Sequence, residues 1–503
     1  MTRARNHGPW WLVPALVVVG IAALLALWPG AAGVKPVYLS TDLLLYLLVA
    51  VFIFMAAYIR RQEHLRLPWL RVLRGRLAMA ALVVLSAYVI VGLLDSVHFR
   101  EPLPAHDDSG RVDYSVQVLS VFDIIATPLR THIEQTYSAP FATRLYTKEA
   151  ETMPDGKVRR IYPRLEYGGA QLSDPRTQEL PDIAHTVLRA LPQGLAVWLL
   201  LVGMIAAVQA RRHGGGLGAA VGRVLRGKTE LPWHVALYTA LVIILLMVIM
   251  AHLSVHYHVF GTDKVGNDVF YLAVKSIRTG LVIGTLSTLV MLPFAIFLGV
   301  AAGYFKGWVD DLIQYIYTTL NSIPGVLLIA AAILSIQVYI ANHPGLFQTG
   351  TGRADLRLLA LCVILGITSW TGLCRLLRGE TLKLREMDYI EAATAFGVRH
   401  IKIITNHILP NVMHIVLIMV VLDFSGLVLA EAVLSYVGVG VDPSTISWGN
   451  MINSARLEMA REPMVWWSLA AAFVFMLALV LAANLFADAV RDAFDPRSRA
   501  RTI

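Results

Sequence analysis

The chain is dominated by apolar runs, most of them near the ~20 residues that a helix needs to span the hydrocarbon core of a bilayer. Short polar segments separate these runs. Only 15% of the 503 residues are charged and 57% are hydrophobic, whereas roughly a quarter of residues are charged in an ordinary soluble domain. The pattern excludes soluble, disordered and coiled-coil classes of protein. It predicts an all-α polytopic membrane protein.

We count about ten transmembrane helices. Their approximate limits are Trp10–Trp28, Asp42–Tyr58, Leu77–Leu94, Leu191–Ala210, His234–Leu253, Leu281–Tyr304, Tyr317–Ile340, Leu358–Leu373, Val412–Leu434 and Trp467–Phe486. Arg3 and Arg5 before the first run also suit a signal peptide. The run is longer than a usual signal core, so we expect a retained helix.

The formal net charge of +9 is explained by membrane topology. Basic residues cluster in polar segments at one end of the predicted helices, including 60–76, 211–228 and 375–402. Because short cytoplasmic loops are enriched in lysine and arginine, we expect a multi-pass protein with both termini in the cytoplasm. No nucleic-acid partner is needed to account for the charge.

The predicted spans divide the chain into five parts. These are two N-terminal helices with a basic loop (1–76), one helix (77–94), a small extracytoplasmic domain (95–190), a helix with a second basic loop (191–232) and a C-terminal membrane core (233–503) that contains a cytoplasmic loop at 375–411. Alternation in Val112–Val121, with several prolines as breakers, predicts a mixed and loop-rich fold for the domain.

The cytoplasmic loop contains the most informative stretch, DYIEAATAFGVRHIKIITNHILPN, which begins at Asp388. Asp388 can cap a helix in which Tyr389, Ala393 and Phe396 form one apolar stripe, with Glu391 in the first turn. The small Ala392 beside Ala393 suits close packing against another protein. An ordinary amphipathic loop helix explains these residues equally well.

Gly397 is expected to end this helix, because glycine tolerates the left-handed backbone found at helix ends. A second helix is predicted from Arg399 to Leu409, and Pro410 then leads into the next span. The result is a helical elbow.

The elbow resembles the EAA loop of binding-protein-dependent ABC importer permeases. Glu391, Ala392, Ala393 and Gly397 match the first half of that loop, and Leu409 and Pro410 match its end. His407 stands where the general pattern has isoleucine, and this departure resembles the peptide-importing branch of the family.

Further motifs resemble the C-type permease subunit of oligopeptide and dipeptide (and nickel) importers. The family's external GTDxxGRDV motif is matched by Gly261, Thr262, Asp263, Gly266, Asp268 and Val269, with Asn267 in place of its arginine. Three further matches follow in the family's order, at Ser435–Gly440, Ser447–Asn450 and Arg491–Arg497. The resemblance covers about half of the chain and leaves the first two spans, the external domain and the fourth span unexplained.

The resemblance implies a type I ABC importer permease core in a bacterial inner membrane. It implies that the elbow docks on an ATP-binding subunit through residues that include Tyr389. The implied partners are a second homologous permease, two ATP-binding subunits, an extracytoplasmic solute-binding protein and membrane lipid. The GxxxxGK[ST] pattern occurs at Gly222–Thr229, but this stretch is a short basic segment between two predicted membrane spans, without the preceding strand of a phosphate-binding loop. We therefore expect no cofactor, metal or catalytic site in this chain, with ATP and Mg on the partner subunits.

Polar residues inside the spans are candidates for the translocation path, since unpaired polar groups are unfavourable in lipid. They are Asn321, Asp423 and Glu431. Hydrogen bonds between helices are the alternative explanation for each. Gly299 and Gly303 form a GxxxG pair, which predicts close helix packing within this chain or against a partner permease.

Two other readings remain open on the residues alone. One is a membrane enzyme whose external domain would use His106, Asp107, Asp108 or His132, although no catalytic spacing is recognised. The other is an ion-coupled transporter with Asp423 and Glu431 as proton carriers. His252, His256 and His258 are expected at the surface or membrane interface, with a nickel or zinc site as the alternative. Cys362 and Cys374 are expected as apolar filler.

Overall fold

The structure, a computed structural model, describes residues 14–20, 33–103, 113–152, 158–213, 216–343 and 350–494. Residues 14–20 are helical, and the rest of the predicted span Trp10–Trp28 lies outside the described residues. The same is true of the end of the Arg491–Arg497 motif and of His106, Asp107 and Asp108.

Helices account for most of the described chain. They are α1 (Ser40–Arg61), α2 (Glu63–Arg74), α3 (Arg76–Asp95), α4 (Val121–Ile125), α5 (Thr127–Thr131), α6 (Pro175–His213), α7 (Leu217–Leu225), α8 (Trp233–Leu253), α9 (Val269–Phe305), α10 (Gly307–Ser322), α11 (Gly325–Asn342), α12 (Gly350–Ser369), α13 (Thr371–Arg385), α14 (Asp388–Ala395), α15 (His400–Ile403), a π-helix (Ile404–Ile408), α16 (Leu409–Tyr436), α17 (Trp448–Glu458) and α18 (Trp467–Phe494).

Within the described residues, nine helical segments are long and apolar enough to cross a membrane. They correspond to the second through tenth predicted spans, and the prediction of an all-α polytopic membrane protein is confirmed. The chain is therefore a multi-pass membrane protein.

The span predicted at Tyr317–Ile340 is wrong as a single helix. Ile323 has extended backbone angles (φ −92°, ψ 130°), and α10 ends there. The residue before a proline is pushed away from helical angles, and Pro324 follows. By contrast, the eighth span continues beyond its predicted end at Leu373, because Trp370 keeps helical angles (φ −66°, ψ −18°) and joins α12 to α13.

Helix α9 lies at the centre of the bundle. Half of its most apolar window is buried inside the chain, the largest share among the nine segments. Gly299 and Gly303 allow α13 to approach: a Cβ on Gly299 would lie 2.8 Å from the Cys374 carbonyl oxygen, and one on Gly303 would lie 2.6 Å from the Thr381 Cβ. The predicted close packing is confirmed, and it lies within this chain. Cys362 and Cys374 are buried in the apolar clusters around α9.

The external segment folds around two small antiparallel sheets. One contains β1 (Lys35–Val37), β2 (His98–Arg100) and β3 (Leu119–Ser120), with Lys35 opposite Arg100 and His98 opposite Ser120. The other is a hairpin of β4 (Glu149–Thr152) and β5 (Val158–Ile161). In the predicted alternating stretch Val112–Val121, the described residues form a strand only at β3, with an isolated bridge at Tyr114.

The helix that contains the fourth predicted span begins at Pro175, before the predicted end of the external segment at residue 190. Pro175 is expected as a breaker, but proline is well suited to the first turn of a helix, where its missing N–H would have no partner. Helix α6 also continues through Pro181 and Pro192. The segment 95–174, with β1, is called the external domain below.

The elbow and the external domain lie at opposite ends of the bundle. Helix α3 runs from a cluster of Val72 and Ala78 with Val490 and Ala493 to Asp95 in the external domain. Helix α9 runs from the same domain to Tyr304, which contacts the elbow at His400. The end that contains 61–76, 213–232, 305–307 and 385–409 is called the elbow end.

Candidate functional site

The elbow is built from α14, a left-handed glycine and α15. Gly397 has φ +70°, and its N–H donates to the Thr394 carbonyl (3.0 Å), while the Val398 N–H donates to the Ala393 carbonyl (3.1 Å). These bonds satisfy carbonyls that a helix end otherwise leaves open. No atom lies within 4 Å of a Cβ built on Gly397, so its backbone angle is what requires glycine. The predicted helix end is confirmed.

The predicted cap at Asp388 is wrong. Met387 has the extended cap conformation, and no side chain caps the helix. Asp388 and Glu391 both lie in the first turn, where their charge suits the helix dipole.

The elbow is anchored by one buried residue and leaves its aromatic residues exposed. Ile390 is 1% exposed and packs in the cluster formed by α9, α13 and α16. Tyr389 is 46% exposed and Phe396 87% exposed, whereas Ala393 packs against the same buried cluster, so these three residues do not form one face. Ala392 is exposed and Ala393 is partly buried. An accessible apolar surface of this kind is typical of a contact site for another protein.

Polar contacts join the elbow to the end of α9 and link the neighbouring helices to one another. The Tyr304 hydroxyl at the end of α9 lies 2.8 Å from His400 Nδ1. The Lys306 ammonium lies 3.1 Å from the Glu386 carboxylate. Arg378 in α13 donates two bonds to Asp310 in α10, at 2.5 and 2.7 Å. The elbow is therefore in direct polar contact with α9, and α10 is bound to α13, which packs in the same buried cluster as Ile390.

The prediction of a second elbow helix separate from the next span is wrong. His400–Tyr436 is one continuous helical segment that includes the π-helix. The Leu409 N–H donates to the Ile404 carbonyl, five residues back. Pro410 has no N–H to continue the regular ladder, and the π-helix precedes it directly. His407 is exposed, and its carbonyl accepts a bond from the Asn411 side chain (2.7 Å).

The external motif forms a tight loop before α9. The Asp263 carboxylate accepts bonds from the Val265 and Asn267 N–H groups (2.9 and 2.8 Å). Asp268 caps α9 by accepting from the Tyr271 N–H (3.1 Å) and also contacts His258 Nδ1 (2.8 Å). Each acidic residue of the motif therefore shapes the loop or begins the helix.

The external domain also packs on this loop. The Thr262 hydroxyl accepts from the Ser138 N–H (2.6 Å) and donates to the Thr136 carbonyl (2.8 Å). Gly266 accepts from the Glu134 N–H (3.0 Å), and a Cβ on Gly266 would overlap the Glu134 backbone. The domain and the loop pack backbone against backbone.

Three charged groups are buried where the external domain packs on the loop 261–268, a contact called the seam below. The Glu134 carboxylate accepts three backbone N–H bonds, from Glu166, Tyr167 and Gly168, and lies 3.4 Å from His258 Nε2. Burial alone would raise the pKa of Glu134, but the nearby His258 and the bonds from these amides outweigh it and lower the pKa to about 2. Burial would lower the pKa of His258, but Asp268 and Glu134 raise it to about 9. His258 is thus a buried cation between two carboxylates.

The three histidines therefore have different surroundings. His258 is 3% exposed, which contradicts the expected surface or interface position. His256 is exposed, and the His252 ring bonds the Val248 carbonyl. Among the described residues, no group of three or more metal-ligating side chains could hold a metal ion. His132 stacks on Tyr167 at 4.5 Å.

The three candidates for the translocation path have different surroundings. Asn321 is exposed and accepts a bond from Thr371 (3.1 Å), which joins α10 to α13. Glu431 is 2% exposed and accepts from Ser435 and Ser447 (2.7 and 3.1 Å), so it holds the loop before α17. Asp423 is partly buried, and its carboxylate has no hydrogen-bond or ion-pair partner among the described residues.

A set of buried ion pairs, which the sequence pattern does not predict, lies near the external end of α9. Arg278 pairs with Asp42 of α1 (2.5 Å), and Lys275 pairs with Asp123 of the external domain. Asp355 of α12 accepts from the Ser40 N–H (2.7 Å) and from the Thr41 hydroxyl. The available signal was the position of Lys275 and Arg278 directly before the apolar run that starts at Leu281.

Comparisons with known proteins agree with this architecture. A sequence profile of the family described as binding-protein-dependent transport system inner membrane component matches residues 295–500. The chain is 33% identical over 240 residues to the glutathione transport system permease protein GsiD of Pectobacterium atrosepticum, covering 48% of this chain and 73% of that protein.

Two other relatives match a similar share of the chain. The dipeptide transport system permease protein DppC of Bacillus subtilis is 30% identical, over 48% of this chain and 69% of that protein. The oligopeptide transport system permease protein OppC of Haemophilus influenzae is 29% identical, over 48% and 71%. A solved inward-facing structure of the MetNI methionine ABC transporter aligns with a TM-score of 0.34 at 17% identity, covering 44% of this chain and 96% of that one.

Proposed function

The chain belongs to the family of binding-protein-dependent transport system inner membrane components, and we propose that it is a permease subunit of an ATP-driven importer of di- or oligopeptides. It is a transport component. Its proposed partners are a second homologous permease, two ATP-binding subunits that carry ATP and Mg, and an extracytoplasmic solute-binding protein. The permease proteins that it resembles are named for glutathione, dipeptide and oligopeptide transport, which supports a peptide substrate.

The observation that carries the proposal is the exposed elbow on a buried anchor. Ile390 fixes α14 to the bundle, while Phe396 and Tyr389 remain accessible to a partner. Closure of the ATP-binding subunits would displace α14 as a rigid element. Contacts to α9 and α13 would pass that displacement to the spans, which fits a two-state rigid-body transition.

The experiment compares two glycines near the elbow. Neither Gly397 nor Gly379 has an atom within 4 Å of a built Cβ, but only Gly397 has a positive φ. An alanine in the left-handed conformation costs about 1–2 kcal/mol. Gly397→Ala is therefore expected to lower ATP-dependent peptide uptake by about fivefold or more, while Gly379→Ala has little effect.

The measurement is uptake of labelled di- and tripeptides by proteoliposomes that contain the complete complex, with ATP hydrolysis followed in parallel. Equal uptake by both variants would contradict a role of the elbow in coupling. Uptake that persists without ATP and depends on a proton gradient would contradict the ATP-driven mechanism.

We also propose that the elbow end and both termini face the cytoplasm of a bacterial inner membrane. Basic residues support this orientation, because Arg60 and Arg61 end α1, while Arg211 and Arg212 lie near the end of α6. The external domain would then lie outside, where the solute-binding protein delivers its ligand.

The orientation can be tested by labelling thiols in whole spheroplasts. Both native cysteines are buried, so they are expected to react slowly. Phe396→Cys at the elbow and Val116→Cys in the external domain replace residues with almost equal exposure, 87% and 86%. A membrane-impermeant maleimide should label Val116→Cys in intact spheroplasts, and Phe396→Cys only after lysis. The reverse pattern would overturn the orientation.

A further inference from the structure

A shallow basic pocket lies at the elbow end, where α6 ends and α8 begins. Its volume is about 210 Å³, and its polar lining includes Gln209, Arg212, Arg223 and Lys228. Trp233, the first residue of α8, forms another wall. The pocket lies outside residues 295–500, which the family profile matches.

The charge of this pocket is not neutralised by the chain. Glu230 is the acidic residue in its lining. Within the described chain, none of Arg212, Arg223 and Lys228 forms an ion pair. Three basic groups around a small cavity favour an anionic ligand with several oxygen acceptors, such as a phosphate group.

The pocket also lies at the depth of a membrane surface. Helices α6 and α8 are both long and apolar enough to span the bilayer, and the pocket is at their shared end. Between them, α7 buries Ala220 and Val224 and exposes Leu217, as a short interfacial helix does. Tryptophan is enriched at this depth.

A stripe of exposed apolar side chains leads along α6 to the pocket. Leu200, Met204 and Val208 are 75%, 61% and 46% exposed, and they are spaced by four residues. Arg212 is the next position at that spacing, so its side chain lies within about 40° of Val208 around the helix, at the end of the stripe. The surface is therefore amphiphilic, with a cationic pocket above a lipid-facing track.

We propose that this pocket binds the phosphate headgroup of an anionic phospholipid, with an acyl chain lying along Leu200, Met204 and Val208. Inorganic phosphate has the same headgroup chemistry, but it would not use the apolar track. Basic pockets between transmembrane helices at the cytoplasmic side commonly hold such headgroups. This inference does not depend on what the transporter carries.

The test is native mass spectrometry of the purified full chain with added phosphatidylglycerol, or with phosphatidylcholine of the same acyl chains. We expect one phosphatidylglycerol to be retained in preference to phosphatidylcholine. The triple variant R212Q/R223Q/K228Q should lose it, with affinity falling by about fivefold for each basic group removed.

Two control variants keep the test specific. R60Q/R61Q/R66Q removes the same number of charges at the same end of the bundle, outside the pocket, and should leave retention unchanged. R212K/R223K keeps the positive charge and should retain the lipid. Loss of binding in R60Q/R61Q/R66Q to the same extent would overturn the site, as would equal retention of both lipids. Displacement by millimolar inorganic phosphate would overturn the lipid as its occupant.

Discussion

His258 is the residue whose ionisation matters most for the seam between the loop and the external domain. It lies between Asp268 and Glu134, with His132 and His256 close enough to affect the local charge. All of these groups lie outside the apolar segments. The seam is thus held by charge as well as by the backbone contacts of Thr262 and Gly266.

We expect the stability of the chain to fall as pH rises from about 6.5 to 9. The pKa of His258 is about 9 in the folded chain, against an ordinary value of 6.5. A raised pKa stabilises the fold fully below the unfolded value, and the contribution is lost as pH rises through the folded value. The loss is roughly 1–3 kcal/mol. The measurement is the apparent Tm of the full chain in detergent across this range.

The control for this prediction is the neighbouring His256, which is exposed. His258→Gln should flatten the fall in Tm, while His256→Gln should leave it as it is in the unmodified chain. Parallel curves for all three proteins would show that His258 does not link the seam to pH.

At the scale of one element, the π-helix sets the direction in which the elbow leaves the membrane. A π-helix is equivalent to one residue inserted into a regular helix. Each residue of an α-helix turns by about 100°, so the insertion rotates everything before it by about that angle. The insertion at Ile404–Ile408 therefore fixes the face that α14 and Gly397 present. Pro410 is the physical reason for it, since proline cannot donate to the Asn406 carbonyl.

Replacing Pro410 by alanine should convert the π-helix to a regular helix. The restored N–H can donate four residues back, so the local helix is expected to gain on the order of 1–3 kcal/mol. Hydrogen exchange of the amides from Ile404 to Asn411 should slow by about tenfold or more. Pro293→Ala in α9 removes a proline from a helix without a π segment and should not affect these amides. Unchanged exchange in Pro410→Ala would point instead to the Asn411 side chain as the cause.

Much of this element is readable from the sequence, but its detailed form is not. Gly397 predicts the left-handed end because the requirement is local. The N-cap residue is Met387 and not the expected Asp388, and the buried residue of α14 is Ile390. Neither position can be predicted locally, because both depend on how α14 packs against α13 and α16. The apolar run of Val412–Leu434 predicts a span, whereas its continuity with α15 depends on the π-helix at Pro410.

Across the whole molecule, buried ion pairs join α1 and the external domain to the central helix α9. Asp42 in α1 and Asp123 in the domain both meet basic residues of α9. Burial would raise the pKa of Asp123, but Lys275 outweighs it and lowers that pKa. No local pattern predicts such pairs, because their partners are 236 and 152 residues apart. The spans themselves are predictable because hydropathy is local.

We expect Asp42→Asn to destabilise the chain by about 3 kcal/mol or more, since it leaves the buried Arg278 guanidinium without its counter-charge. Glu386→Gln provides the comparison, because it breaks the exposed pair with Lys306 and should cost about 0–1 kcal/mol. Thermal unfolding of the full chain in detergent would measure both. Similar small shifts in the two variants would show that Arg278 finds another partner.

The packing of the external domain on the loop before α9 restricts how the two can move. The backbone of Glu134 rests directly on Gly266, with no side chain between them, and Asp268 two residues later begins α9. A hinge needs space for the backbone to move, and the contact between Glu134 and Gly266 leaves none. On the proposed permease function, a tilt of α9 would carry the external domain with it, so the position of this domain would report the state of the helix.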